Sequence, residues 1–208
     1  MDDQIMNDLR KYYDRDAQRR DADIYAPWKR EERQRFLELL QQEGKTRLLE
    51  IGAGPGRDSL FFQQHGLTVT CTDLSTEMVR LCQQKGLTAY VMDFYHLDFP
   101  SQSFDALFAL NCLLHAPGAD LPAILQSLHD LLQPGGLFYC GVYGGIEHEG
   151  YFSQNPQQQP RFFSYHSDEY MRQAVQQYFE IVSFKTIPLE WEHETHFQSM
   201  ILRRSMSC

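Results

Sequence analysis

The most constraining feature of the sequence is a glycine-rich turn that directly follows a short apolar stretch. Arg47 to Ile51 is a predicted β-strand, and Gly52, Gly54 and Gly56 come immediately after it. Because glycine has no Cβ atom, the backbone can turn sharply there and a ligand can approach it closely. In an open α/β sheet, ligands bind beyond the carboxyl ends of the strands. The turn therefore predicts a ligand site at the end of the first strand of such a sheet.

Downstream of this turn, strand-like and helix-like segments alternate. Apolar strands are predicted at 67–71, 88–92, 104–110, 137–143, 179–185 and 196–202. The clearest helix begins after Asp120, the predicted N-cap, and has leucines and isoleucine at helical spacing from 121 to 132. Strands separated by helices of this length form right-handed βαβ units and a mainly parallel sheet. The pattern predicts an α/β fold.

The remaining segments lie on either side of this alternating core. Helices are predicted before Thr46, with Pro27 opening the second helix and Gly44 ending it. Residues 144–166 contain glycines, glutamines and two prolines, and predict a loop that covers a site. Ser167 is a predicted cap for a further helix.

We predict one domain over 1–208. Its parts are an N-terminal helical cap or lid at 1–45, a cofactor-binding core at 46–143, a substrate-side insertion at 144–166, and a C-terminal helix with closing strands at 167–208.

Composition narrows the classes of function. The net charge is −9, which disfavours nucleic-acid binding because such binding depends on basic groups at the phosphates. No stretch is long and apolar enough to suggest a membrane span. The five cysteines are scattered without a C-x-x-C pair, so no disulfide framework and no metal site is predicted. A cytoplasmic location fits these features.

The spacing of the glycines indicates which nucleotide-like ligand binds. Nicotinamide enzymes use G-x-G-x-x-G with a pyrophosphate at a helix N-terminus, whereas here the pattern is G-x-G-x-G. Glu50 stands two positions before the first glycine, and its carboxylate suits an ammonium and a sulfonium better than a pyrophosphate. Asp73 ends the next strand, where a carboxylate can accept both hydroxyls of a ribose. These features favour S-adenosylmethionine over NAD.

Several segments resemble the motifs of a known family. Leu48 to Gly56 resembles motif I of class I (Rossmann-like) S-adenosylmethionine-dependent methyltransferases, and Cys71 to Ser75 resembles the ribose-binding segment that follows it. Val91 to Phe94 is similar to the adenine-binding segment, Ser103 to Phe108 to motif II, and Leu131 to Phe138 to the motif III turn. All occur in the family's order. The resemblance implies a three-layer, doubly wound sheet of seven mostly parallel strands with an antiparallel last strand.

The resemblance also implies roles for individual residues. The glycines would border the methionine part of the cofactor, Asp73 the ribose, and Asp93 and Phe94 the adenine, while Asn111 would face the reactive side. The full set implied to bind S-adenosylmethionine, or its product S-adenosylhomocysteine, is Glu50, Gly52, Ala53, Gly54, Gly56, Asp73, Leu74, Asp93, Phe94 and Asn111.

Residues that contact the methyl acceptor are harder to identify from sequence. His115 follows the fourth strand and is the candidate general base, although it can equally bond the cofactor or the loop backbone. Tyr12 and Tyr13 resemble part of an N-terminal lid, where ordinary helix packing is the alternative. The predicted substrate-binding set is Tyr12, Tyr13, Tyr143, His148, Arg161, Phe162 and Tyr165.

The sequence therefore predicts a methyltransferase that acts on a small molecule. Motifs of the enzymes that methylate amide and base nitrogens or cytosine carbon are missing, and Asn111-Cys-Leu-Leu114 stands where the former would be. Three alternatives remain open: a methyltransferase acting on protein or tRNA, a cofactor-binding protein without transfer activity, and, disfavoured by the glycine spacing, a nicotinamide oxidoreductase.

Overall fold

A seven-stranded sheet forms the centre of the protein. The computed structural model describes residues 3–24, 26–153, 159–189 and 192–206 of the 208-residue chain. The strands are β1 (Arg47–Ile51), β2 (Thr68–Asp73), β3 (Thr88–Val91), β4 (Phe104–Leu110), β5 (Leu132–Gly144), β6 (His148–Phe152), β7 (Arg161–Tyr165), β8 (Glu180–Leu189) and β9 (Glu192–Arg203). The central sheet has the order β3-β2-β1-β4-β5-β9-β8, in which the first five strands are parallel and β9 runs antiparallel to both β5 and β8. The predicted sheet is confirmed.

Helices cover both faces of this sheet. They are α1 (Asp3–Ala22), α2 (Pro27–Gln42), α3 (Arg57–Gln64), α4 (Thr76–Gln84), α5 (Leu121–Leu131) and α6 (Asp168–Gln176). Successive side chains of a strand point to opposite faces. In β4, Leu107 packs in the apolar core that contains α5 and α6, whereas Phe108 packs in the core that contains α2, α3 and α4. This alternation produces the three layers, and no described helix is long and apolar enough to cross a membrane.

Local capping signals position most of these helices as predicted. Pro27 occupies the first turn of α2. The Ser75 hydroxyl accepts the backbone N–H of Met78 at the start of α4, and Ser167 does the same for Tyr170 in α6. Asp120 is the N-cap residue of α5 as predicted, but its carboxylate makes no capping bond to the helix and accepts the Tyr95 hydroxyl at 2.8 Å.

The segment predicted as an irregular loop contains a β-hairpin. Strands β6 and β7 pair antiparallel, with Tyr151 opposite Phe162 and Gly150 opposite Phe163. The glycine and proline content suggested a loop, but the aromatic residues of the flanks favour strands and pair across the hairpin. The prediction was therefore wrong for 148–152 and 161–165. The hairpin forms a separate two-stranded sheet beside α1.

Candidate functional site

A cavity of about 420 Å³ opens at the carboxyl ends of β1, β2 and β4, beneath α1. Its size lies in the range of pockets that enclose a small ligand. The residues predicted to bind the cofactor line this cavity with a single exception, Gly56. Those that line it are Glu50, Gly52, Ala53, Gly54, Asp73, Leu74, Asp93, Phe94 and Asn111.

The three glycines of the turn differ in their surroundings. Gly52 has a φ of +67°, and a Cβ atom there would lie 2.3 Å from the Cβ of Cys112. Gly54 has a φ of +54° with no atom within 4 Å of the Cβ position, so it leaves open space at the cavity wall. A Cβ at Gly56 would meet Leu87 Cδ1 at 2.7 Å. Gly56 therefore allows close packing behind the turn rather than bordering the cavity.

Asp73 holds the turn together from the end of β2. One carboxylate oxygen accepts the N–H of Gly54 at 2.8 Å, and the other accepts the N–H of Ser75 at 2.8 Å. Burial raises the pKa of Asp73 to about 6, against the lowering effect of these two backbone hydrogen bonds. The carboxylate thus lines the cavity and fixes the backbone on both sides of it.

Glu50 lies at the base of the turn and is only 2% exposed. Its carboxyl accepts a hydrogen bond from the Ser59 hydroxyl. Burial, together with the nearby charge of Asp58, raises the pKa of Glu50 well above its usual value. A cationic group placed in the cavity would favour the ionised form of this carboxyl.

Two further loop residues present polar atoms near the cavity. Asp93 accepts the backbone N–H groups of Tyr95 and His96 at 2.8 and 3.0 Å, which orders the loop after β3. Asn111 has a φ of +57°, which is unusual for a non-glycine residue. Its Oδ1 atom is buried and has no hydrogen-bond partner among the described residues. A buried acceptor without a partner at a cavity wall fits a ligand that donates a hydrogen bond.

Helix α1 covers the cavity, and contacts from two directions hold it there. Met6, Leu9 and Tyr13 line the cavity from this helix. On one side the Asp14 carboxylate accepts the Ser75 hydroxyl at 2.6 Å. On the other side the Arg161 guanidinium lies 4.6 Å from the ring centre of Tyr12. The lid is therefore attached both to α4 and to the hairpin.

His115 lies in a buried 3₁₀ turn after β4, and both of its ring nitrogens are engaged. Nδ1 lies 2.7 Å from the carbonyl oxygen of Phe162, and Nε2 lies 2.6 Å from the Tyr13 hydroxyl. Burial lowers the pKa of His115 to about 3, against the hydrogen bond that Nδ1 donates to the Phe162 carbonyl, which raises it. The side chain is therefore neutral at physiological pH.

The residues predicted to bind substrate are only partly brought together. Tyr13 and Tyr143 line the cavity with His115. Arg161 reaches it indirectly, donating to the Tyr13 hydroxyl at 3.0 Å. The other predicted residues are Tyr12, Phe162 and Tyr165, which are buried in packing, and His148, which is exposed on β6. None of these four is among the residues that line the cavity.

Sequence reasoning missed several residues of the cavity wall. These are Met6, Leu9, Arg20, Asp23, Ile24, Trp28, Lys29 and Met92, among others. Most belong to the N-terminal helices or to the link between them. Their one sequence signal is the helical spacing of Met6, Leu9 and Tyr13, which is equally typical of a helix packed on a core.

Comparisons with known proteins agree with this geometry. A family model described as a methyltransferase domain matches residues 48–136. The sterol 24-C-methyltransferase of Aspergillus fumigatus is 31% identical over 120 residues, which cover 53% of this chain and 31% of that enzyme. The malonyl-[acyl-carrier protein] O-methyltransferase of Hamiltonella defensa is 28% identical over 148 residues, covering 69% of this chain and 57% of that enzyme. The chain spans less than two thirds of the length of these relatives.

The fold is also that of solved methyltransferases. The 1,6-didemethyltoxoflavin-N1-methyltransferase of Burkholderia thailandensis, whose structure holds 1,6-didemethyltoxoflavin and S-adenosylhomocysteine, superposes with a TM-score of 0.72. It is 24% identical, and the match covers 96% of this chain and 88% of that one. Residues 48–136 therefore match a methyltransferase domain, and the chain as a whole has the fold of solved S-adenosylmethionine-dependent methyltransferases.

Proposed function

We propose that this chain transfers a methyl group from S-adenosylmethionine to a small-molecule acceptor. The observation that carries the proposal is one covered cavity that combines two kinds of wall. The motif residues around Gly52 and Asp73 form one part, and Tyr13, His115 and Tyr143 form another. A methyltransferase needs such an arrangement, because cofactor and acceptor must meet in one space from which water is excluded.

The chemistry of the cavity fits S-adenosylmethionine. Ribose hydroxyls are donors and suit the Asp73 carboxylate, whereas Met92 and Phe94 offer apolar surface for a purine. Near the glycine turn the wall presents the Arg20 guanidinium and the Glu50 carboxyl, whose ionised form a cationic ligand would favour. These suit the ammonium and the carboxylate of an amino-acid group. The open space at Gly54 leaves room for a ligand against the backbone.

When bound, the sulfonium supplies a methyl group that is already activated for attack. The protein's own contribution is to align the acceptor and to exclude water. Helix α1 covers the cavity, and its attachment to α4 and the hairpin keeps the cover in place. A methyl transfer of this kind requires orientation more than a demanding set of catalytic groups.

A small acceptor fits a cavity of about 420 Å³ better than a macromolecule does. Leu9, Trp28 and Tyr143 are among the side chains that line the cavity from the lid and the outer wall. The net charge of −9 disfavours binding to nucleic acid. Among the relatives, the sterol and toxoflavin-type enzymes are named for small molecules, which supports the proposal.

A cytoplasmic location is part of the same proposal. Cys71, Cys82, Cys112 and Cys140 are free thiols, and all four are buried. Free cysteines are typical of proteins in reducing compartments.

The proposal is tested by incubating the purified chain with methyl-labelled S-adenosylmethionine and three separate acceptor pools. The pools are a small-metabolite extract, total tRNA, and a protein fraction freed of metabolites. We expect label to enter the small-metabolite pool alone. Label in tRNA or protein would contradict the small-molecule assignment. Binding of the cofactor with no transfer to any pool would indicate a cofactor-binding protein without activity.

A further inference from the structure

A chain of hydrogen bonds joins the lid, the end of β4 and the hairpin at the cavity wall. Arg161 from β7 donates to the Tyr13 oxygen at 3.0 Å, and Tyr13 from α1 lies 2.6 Å from Nε2 of His115. Nδ1 of His115 lies 2.7 Å from the carbonyl oxygen of Phe162. These hydrogen bonds therefore link three elements that are far apart in sequence.

The direction of every hydrogen bond in this series is fixed by its two terminal groups, the Phe162 carbonyl and the Arg161 guanidinium. A carbonyl oxygen can only accept, so Nδ1 of His115 carries the proton and its Nε2 is the acceptor. The Tyr13 hydroxyl must then donate to Nε2. A guanidinium can only donate, so the Tyr13 oxygen also accepts from Arg161. The phenol proton is committed to His115, and Oη of Tyr13, a residue that lines the cavity, keeps one further lone pair.

We propose that the acceptor is a hydroxyl-bearing molecule whose O–H group donates to Tyr13 Oη, with His115 taking up the proton through Tyr13 and Arg161 as a positioning residue that orients the phenol. This inference rests on the proposed function and adds a substrate class to it. When the substrate's O–H group donates to the oriented phenol oxygen, a lone pair of the attacking oxygen is directed toward the methyl group.

In the proposed transfer step, atoms and electrons balance, and the proton moves along these hydrogen bonds. The acceptor oxygen forms a bond to the methyl carbon, and the carbon–sulfur bond breaks with its electron pair left on sulfur. The acceptor's proton passes to Tyr13 Oη as the phenol proton passes to Nε2 of His115. The imidazolium returns its proton through Tyr13 to water when the product leaves. The net products are a methyl ether, the thioether and one proton.

The low basicity of His115 suits an oxygen acceptor in particular. Burial holds the pKa of His115 at about 3, so it does not deprotonate a free hydroxyl. A neutral hydroxyl that is gaining a methyl group becomes strongly acidic, and a weak base then suffices to take its proton. A methylated aliphatic amine keeps a proton near neutral pH and has no need of such a group. The Arg161 guanidinium donates to the Tyr13 oxygen, and the Arg20 guanidinium lies 4.8 Å from the centre of the Tyr13 ring.

The test uses phenol as the probe and toluene as its matched analogue without the donor. Both are titrated by calorimetry into the chain saturated with S-adenosylhomocysteine. We expect phenol to bind about tenfold more tightly than toluene, because a site that hydrogen-bonds a hydroxyl rejects the analogue lacking it. Tyr13→Phe should abolish this preference, whereas Tyr170→Phe, whose hydroxyl bonds Gly118 outside the cavity wall, should keep it.

A spectroscopic readout separates orientation from mere packing. Phenol should shift the ¹⁵N resonance of His115 Nε2 in the wild type and leave it unmoved in Tyr13→Phe. Equal binding of phenol and toluene, failure of both to bind, or a preference that survives in Tyr13→Phe overturns the inference. Failure of the wild type to bind S-adenosylhomocysteine would instead overturn the proposed function itself. Binding of S-adenosylhomocysteine by Tyr13→Phe shows that the variant is folded.

Discussion

The two walls of the cavity are constructed in different ways. The cofactor wall consists of turns at strand ends, where Asp73 fixes Gly54 and Ser75 through short backbone hydrogen bonds. The wall proposed for the acceptor includes Tyr13 of α1 and His115 of the 3₁₀ turn, which contact each other, and Arg161 of β7 supports it from outside the cavity lining. The comparison shows that one wall is held by backbone geometry and the other by long-range contacts. We expect substitutions to separate the two.

The largest expected effect is the loss of cofactor binding in Asp73→Ala. The variant loses the carboxylate proposed to accept the ribose hydroxyls and also the partner of the Gly54 and Ser75 N–H groups. Hydrogen bonds to a charged group contribute about 1.5–3 kcal/mol each, so the Kd for S-adenosylhomocysteine should rise by about 100-fold or more. Calorimetry measures this Kd. The matched control is Asp130→Ala, at a half-exposed aspartate. An unchanged Kd would show that Asp73 has no part in the cofactor wall.

A pair of glycine substitutions should separate stability from binding within the cofactor wall. A Cβ at Gly52 meets Cys112 at 2.3 Å, so Gly52→Ala should lower the free energy of unfolding by about 2–3 kcal/mol. Gly54→Ala meets no atom and costs about 1 kcal/mol of backbone strain, but places a methyl group at the cavity wall.

Chemical denaturation measures the free energy of unfolding of both variants, and calorimetry measures their affinity for S-adenosylhomocysteine. Gly66→Ala, at a φ of +91° with open space around it, is the control for backbone strain alone. Equal losses of stability in Gly52→Ala and Gly66→Ala would contradict the close approach to Cys112.

The pH dependence of binding should report on Asp73. Its pKa is raised by burial from 3.8 to about 6, and the ionised form is the better acceptor for ribose hydroxyls. Affinity for S-adenosylhomocysteine should therefore increase as the pH rises through about 6, with about tenfold weaker binding at pH 5 than at pH 7.5. A raised pKa also means that this group's contribution to the free energy of unfolding decreases as the pH rises from about 4 to 6. Asp73→Asn should bind weakly with a flat pH profile, and a profile like that of the wild type would assign the titration to another group.

The smallest effect on cofactor binding is expected at the acceptor wall. Arg161→Gln removes the cation from the Tyr12 ring and weakens the donor to Tyr13. Contacts of this kind contribute about 0.5–1 kcal/mol, so the Kd for S-adenosylhomocysteine should rise only two- to fivefold, roughly. Amide exchange in α1 around Tyr12 and Tyr13 should become faster, which hydrogen-exchange mass spectrometry detects. Protection of α1 equal to that of the wild type would show that the hairpin does not hold the lid.

The same contrast explains what sequence alone could predict. The glycine turn, Asp73 and Asp93 lie within short sequence motifs. These local patterns were sufficient to predict that the residues share one site, and all line the cavity except Gly56. Gly56 is the exception, because its packing against Leu87 depends on how α3 meets α4. No periodicity relates its position to that contact.

The acceptor wall offered no comparable local signal. Tyr13 lies 102 residues from His115 and 148 from Arg161, so their contacts depend on the complete tertiary fold. The hairpin was missed because turn-forming residues dominate the middle of 144–166, whereas its strands are specified by aromatic pairs such as Tyr151 with Phe162. Sequence identified Tyr13, Arg161 and His115 separately as candidates, and the structure joins them in one hydrogen-bonded chain.

The most direct test of the central claim is a calorimetric titration of the purified chain with S-adenosylmethionine, S-adenosylhomocysteine and NADH. The cavity at the glycine turn should bind the first two, with one site per chain, and should not bind NADH. Binding of NADH with no response to either sulfur compound would contradict the assignment of this cavity. It would indicate that the glycine turn binds a dinucleotide.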